Sequence, residues 1–410
     1  MGRYRNNKLL IVAAVFVLTL WIYVSRKNEK ISKRQYNVMV WWSPYKKHHI
    51  DYHRKCGQIE CRFTSDREAS KDEYFMGYLF DGARITLTDL PKTRKYDEYW
   101  ALYYDSSPKD VPFLLQSIHL FNFTSSFSRY SDIPLTLQPF TSLEELINYK
   151  LMYTYGQKSA FQKNIKLAPI LYLQSHCNTL TGRELYVQQL GRHIAIDSYG
   201  ACLKNKSLPA NIEDDATNPR DIRNFYDFVS KYKFMIVYED VVCEDYISSK
   251  FWKSLTLGVV PIYFGATNIR NYLPNPGSAI LVEDFAKPAD LAQFIQKVSN
   301  SEESYTSFLL HKTVDFYPIT NQPLVDYLFR QDIQYVEKRK ARTIAEFECY
   351  VCAQSSAGLQ KQAAEREFTC KVPHFPPGNV THKAMPRVQG FIEQGRAEAA
   401  QVEKMIDFIG

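Results

Sequence analysis

The chain has 410 residues, of which 45% are hydrophobic and 14% aromatic, which excludes a disordered protein and leaves room for two domains with substantial cores. Its 51 Lys and Arg are interleaved with 44 Asp and Glu, and the net charge of +7 is scattered along the chain, so composition does not imply nucleic-acid binding. A charge of this size suits a groove for a small anionic ligand.

At the N-terminus, Leu9 to Val24 is a run of uncharged, mostly apolar residues flanked by Arg3, Arg5 and Lys8 on one side and Arg26 and Lys27 on the other. As a helix it spans about 24 Å, short for a plasma membrane but enough for thinner early secretory membranes. A cleaved signal peptide is the rival reading, but Tyr23-Val24-Ser25-Arg26 is a poor cleavage site. The expected arrangement is a cytoplasmic tail (1–8), a signal-anchor (9–24) and a short charged stem (25–35). Flanking charge argues against this orientation, since more Lys and Arg follow the segment than precede it. Three sequons, at Asn122, Asn205 and Asn379, and eight cysteines all lie after the segment and point to a lumenal catalytic region. The expectation is a single-pass type II protein of the Golgi or endoplasmic reticulum membrane. Cys56 and Cys61 are close enough for a local disulfide, and Cys349 and Cys352 with Cys370 read as a C-terminal stapled cluster. Zinc is the competing reading of the CxxC, without a second pair to support it.

The globular part opens with a strand, Val38 to Ser43, ending at Pro44. Further strands are expected around Tyr74 to Phe80 and at Trp100 to Tyr104, the latter running into the turn Asp105-Ser106-Ser107-Pro108. With the block Leu120 to Asp132, these form an α/β domain over 36–165. The second domain, 166–344, starts with a strand (Leu167 to Leu173), a helix (Arg183 to Leu190) and a strand (Ile194 to Asp197). Phe234 to Tyr238 is an unbroken apolar run of strand length followed by the turn Glu239-Asp240. Tyr246, Ile247, Phe251 and Leu255 have helical period, with Asp245 as the expected N-cap, and Val259 to Phe264 is a second buried strand. This βαβ unit, with a later strand at Ala279 to Val282 and a helix at Pro288 to Val298, predicts a doubly wound sheet. The first turn of its helix offers free backbone N–H groups to an anion, and Lys250 adds an ammonium. Residues 345–410 read as a Cys-containing C-terminal appendage.

The blocks Tyr238-Glu239-Asp240, Asp245-Tyr246-Ile247-Ser248-Ser249-Lys250 and Leu257 to Gly265 resemble the donor signature of the α1,3-fucosyltransferase family (glycosyltransferase family 10), which runs F-E-N, D-Y-I-T-E-K and L-G-V-V-P-V-Y-x-G. Trp41-Trp42-Ser43-Pro44 and Phe121 to Asp132 are most similar to the branch regarded as protein O-fucosyltransferases acting on EMI domains. The resemblance implies two facing Rossmann-like domains of the GT-B type, GDP-fucose as donor on the C-terminal domain, inverting transfer and no metal cofactor. It assigns Arg183 and Lys250 to the diphosphate and Glu239 and Tyr246 to the nucleotide and fucose pocket.

Three positions depart from the family. Ser106 stands where the family has its base Glu, which leaves Asp105 as the candidate base. Ser249 replaces the Glu expected to grip a sugar hydroxyl pair, and Asp240 replaces Asn. The acceptor is either GlcNAc of a glycoprotein glycan or a Ser/Thr of a protein domain. A catalytically impaired donor-binding or scaffolding protein is the reading from another class.

Overall fold

The computed structural model describes residues 36–136, 143–209, 212, 219–313, 318–330, 339–378 and 381–409. The expected signal-anchor, the stem and the sequon asparagine Asn379 lie outside them. Among the described residues no helix is long and apolar enough to cross a membrane.

Two mainly parallel sheets organise the chain. The first contains β1 (Asn37–Ser43), β2 (Asp51–Cys56), β3 (Ile59–Thr64) and β4 (Phe75–Asp81). After a short outlying strand, β5 (Thr93–Lys95), β6 (Tyr99–Tyr103) and β7 (Phe123–Ser125) complete the order β2-β3-β1-β4-β6-β7. All neighbours are parallel except β2, which folds back on β3 through Gly57 at a φ of +67°. Every side chain of β6 is buried, which is why its sequence is a continuous apolar run rather than an alternation.

The second sheet contains β8 (Ile170–Leu173), β9 (Ile196–Tyr199), β10 (Phe234–Tyr238), then, beyond the short β11 (Val242–Cys243), β12 (Val260–Phe264) and β13 (Ile280–Leu281). Its order is β13-β12-β10-β8-β9, parallel throughout. The chain steps from β8 outward to β9 and then crosses back to β10 on the other side of β8. That reversal opens a crevice beyond the carboxyl ends of β8 and β10, where ligands of such sheets bind. Leu171, Leu173, Met235 and Val237 pack on one face with Phe251 and Leu255 of the helix Ser249–Thr256, and Ile170, Tyr172, Phe234 and Ile236 fill the other.

The last part of the chain returns to the first sheet. Phe347 and Val351 of the helix Arg339–Ser356 pack with Trp41, Phe63 and Tyr103, while Val388 and Val402 of the helix Thr381–Met405 pack with Val40 and Leu102. β14 (Cys370–Lys371) pairs with β11, and β15 (Asp407–Ile409) pairs with β5. The segment set apart by sequence as an appendage therefore contributes to the core of the N-terminal domain.

The disulfides correct the expected pairing. Cys56 joins Cys349, Cys61 joins Cys352, Cys177 joins Cys202 and Cys243 joins Cys370. Cys349 and Cys352 sit three residues apart on one helix face, so both reach the β2–β3 hairpin beneath them. A local Cys56–Cys61 bond and a closed C-terminal cluster do not form, and with all eight cysteines in disulfides the zinc reading falls. Either of the two nested bonds keeps the long loop closed, so replacing Cys56, Cys61, Cys349 and Cys352 together by Ser is what reopens a loop spanning 291 residues. The expected loss is about 2–4 kcal/mol, read from the denaturant midpoint.

Candidate active site

The helix Ser249–Thr256 starts later than its apolar period suggests, and Asp245 is not its N-cap. Ser248 occupies that position, and its backbone N–H donates to Glu239 Oε1 at 2.8 Å. Asp245 instead adopts a φ of +65° with its side chain 0% exposed. Its carboxylate accepts from the Arg129 backbone N–H and Nε, both at 2.8 Å, from Asn268 Nδ2 at 2.6 Å and from the Tyr272 hydroxyl at 2.6 Å. Arg129 comes from the block that follows β7, so this ion pair ties that block to the turn before the helix Ser249–Thr256. Its contact with the carboxylate holds the guanidinium firmly in its charged form.

The two cations expected at the donor sit at the strand reversal. Lys250 Nζ donates to the Leu173 carbonyl at 2.9 Å and to Gln174 Oε1 at 2.8 Å, at the end of β8. Arg183, 3% exposed, donates to the Tyr238 carbonyl at 3.0 Å at the end of β10 and to the His176 carbonyl at 2.5 Å. Its Nε meets Glu184 at 2.8 Å. The strand-end carbonyls thus hold both cations at the crevice. Ser249 and Lys250 also line, with His176 and Lys253, a cavity of about 160 Å³ at the same helix start.

Glu239 and Asp240 form the turn that leaves β10. Glu239 is buried and its carboxyl is lifted to about 7 by that burial. Asp240 crosses to the other domain: its Oδ1 accepts from Ser107 Oγ at 2.8 Å and its Oδ2 lies 3.7 Å from Lys109 Nζ. Burial raises the Asp240 carboxyl as well. Asp105 and Ser106 belong to the same turn as Ser107, directly after β6, and the Tyr103 hydroxyl is 3.4 Å from Asp105 Oδ2. The turn that holds one sequence departure, Ser106, is therefore joined to another, Asp240, by the hydrogen bond from the neighbouring Ser107. Tyr246 packs edge-on to Phe127 with ring centroids 5.6 Å apart. Its hydroxyl is pushed up by burial and then by the Asp240 and Glu239 carboxylates. Among the described residues no group of three His, Cys, Asp or Glu side chains is placed to hold a metal.

Residues 33–138 match the family model described as "Fucosyltransferase, N-terminal", and residues 163–363 match "Glycosyltransferase family 10 (fucosyltransferase) C-term". The chain belongs to glycosyltransferase family 10. It is 38% identical to alpha-(1,3)-fucosyltransferase B of Drosophila melanogaster, over 84% of this chain and 77% of that protein. It is 36% identical to GDP-fucose protein O-fucosyltransferase 3 of Homo sapiens, over 82% and 69%. With the Xenopus tropicalis protein of the same name it shares 32% over 92% and 82%. A crystal structure of alpha1,3-fucosyltransferase with GDP-fucose aligns over 64% of this chain and 80% of that one, at a TM-score of 0.38 and 16% identity.

In this family 10 fucosyltransferase, Arg129, Ser107, Gln174 and His176 are site-forming residues that the sequence did not single out. Arg129 stood within a block already noted, and its spacing gave no sign of a partner more than a hundred residues on. Glu239 gives a pH prediction for the enzyme. Unfolded, its carboxyl releases its proton near 4.5, whereas folded it keeps that proton up to about 7. The native state therefore binds the extra proton in that window, and stability falls as pH rises through it, by on the order of 3 kcal/mol. A Glu239→Gln protein is expected to show a melting temperature that is flatter between those two pH values.

Proposed function

We propose that the chain transfers L-fucose from GDP-fucose to a Ser or Thr hydroxyl of a folded protein domain, with inversion. This reading is supported by the hydrogen bond from Ser107, on the turn bearing Asp105, to Asp240 at the end of β10, beside the strand-end carbonyls of β8 and β10 that accept from Lys250 and Arg183. The diphosphate would lie over the start of the helix Ser249–Thr256, where backbone N–H groups, Lys250 and Arg183 offset the charge that builds on the leaving GDP. The acceptor oxygen would attack the anomeric carbon from the opposite face while the bond to the diphosphate breaks, and Asp105 would take the hydroxyl proton. Ser249 in place of a carboxylate leaves one hydrogen bond to the sugar instead of two, which weakens donor binding by about 1.5–3 kcal/mol.

The protein-hydroxyl acceptor is supported by the names of the Homo sapiens and Xenopus relatives, and the α1,3 linkage to GlcNAc by that of the Drosophila one. A lumenal, membrane-anchored catalytic region is supported by the apolar segment 9–24, the sequons and the four disulfides, which persist only in an oxidising compartment. The test is transfer from GDP-fucose by the purified full chain to a folded EMI domain and, separately, to a GlcNAc-terminated glycan. Fucose on Ser or Thr is the expected product. GDP binding without transfer to either acceptor would overturn catalysis and leave a donor-binding protein.

A further inference from the structure

At the end of the first sheet opposite to Asp105, a cavity of about 570 Å³ opens beside the amino ends of β6 and β7. Its size suits a ligand of one or two sugar rings. Two aromatic rings at this cavity stand in solvent, Tyr96 at 85% and Phe408 at 63% exposure, and Gln360, Gln362 and His119 supply hydrogen-bonding groups to the lining. Exposed ring faces beside amide groups are what the apolar C–H faces and the hydroxyls of a sugar require. Asn122, the sequon asparagine, also lines this cavity.

Asn122 is 8% exposed, and its bonds fix how its amide is presented. Oδ1 accepts from the Trp100 backbone N–H at 2.8 Å and from Arg94 Nη2 at 2.5 Å, while Nδ2 gives one hydrogen to the Lys361 carbonyl at 2.7 Å. Both oxygen lone pairs and one hydrogen are thus committed. An amide nitrogen carries two donors, so one N–H of this buried side chain is left to the cavity.

We infer that Asn122 carries an N-linked glycan whose first sugars seat in this cavity, against Tyr96 and Phe408. The inference rests on the lumenal placement proposed above. The donor is a lipid-diphosphate-linked oligosaccharide: its C1–O bond to phosphate breaks, C1 bonds to Asn122 Nδ2, the displaced amide proton is lost and the lipid diphosphate leaves. Transfer takes place on the unfolded chain as it enters the lumen, so burial in the folded protein does not block it as long as the fold leaves room. The cavity is that room.

The test uses the full chain made in secretion-competent cells, with glycopeptide mass spectrometry at Asn122 and Asn205 and with enzymatic glycan release from native and denatured protein. The expected result is occupied Asn122 whose glycan is released slowly from the native protein and readily after denaturation, while the glycan on exposed Asn205 is released from both. A double variant, Tyr96→Ala with Phe408→Ala, leaves the transfer site untouched and is expected to speed native release at Asn122 by about tenfold. Unmodified Asn122 beside occupied Asn205 would overturn the inference and leave the lumenal placement standing. Native release equally fast at both sites would overturn the seating. Two unmodified sequons would overturn the inference together with the lumenal placement.

Discussion

An Asp105→Ala protein is expected to lose fucosyl transfer by about 10²–10⁴-fold with GDP affinity unchanged, because removing the proposed general base acts on proton removal and not on donor binding. The family position for that base is Ser106, whose hydroxyl cannot hold a proton taken from another hydroxyl at neutral pH. Asp105 is the carboxylate on the same turn, one residue earlier and on a shorter side chain, so its placement depends on how the turn is held. Asp240 holds it, through Ser107 at 2.8 Å and Lys109 at 3.7 Å. The Asn of the family's turn would accept one of these contacts without the ionic attraction to Lys109. An Asp240→Asn protein should therefore keep part of the activity and Asp240→Ala less, both with a lowered kcat, since a base displaced by about 1 Å can cost 10²-fold. If Asp105→Ala retains full transfer, the base lies elsewhere.

Replacing Asp245 by Ala is expected to destabilise the fold by about 3–5 kcal/mol, measured by chemical denaturation, because a fully buried carboxylate that organises several donors disappears and takes their shared partner with it. The Arg129 guanidinium, the Asn268 amide and the Tyr272 hydroxyl all converge on it. Asp245 also sits in the left-handed region, which Asp and Asn tolerate far better than Ala. Asp245→Asn keeps the backbone and part of the bonding, and should recover a measurable share of the loss. Because the pair joins the block after β7 to the turn before the donor helix, the Ala variant should also weaken GDP binding, an effect that loss of stability in one domain alone would not give.

Much of the second domain was legible in the sequence because its elements are short, buried and locally written. Phe234 to Tyr238 and Val259 to Phe264 read as buried strands from their length and unbroken apolar character, and Lys250 and Arg183 fall at the ends of strands in that sheet. Asp245 was misread for a physical reason. An acidic residue just before an apolar helical period is a sound N-cap signal, but a long-range arginine competes for it and the helix begins at Ser249 with Glu239 taking the exposed N–H. The cysteines were misread in the same way. Cys56 and Cys61 are near in sequence, yet they lie on adjacent strands of a hairpin under one face of a helix formed some 290 residues later. The meeting of Ser107 with Asp240 had no local signature, since nothing in either turn encodes the other.

The return of residues 339–409 to the first sheet has a consequence for biogenesis. The second sheet is contiguous in the chain and holds all its strands by residue 281, so it can condense while the remainder is still being synthesised. The N-terminal half cannot: it emerges first but must wait, with its β2–β3 cysteines unpaired, for the final helices to leave the ribosome. A frameshift or stop codon near residue 340 would thus spare the half just completed and strand the half made first.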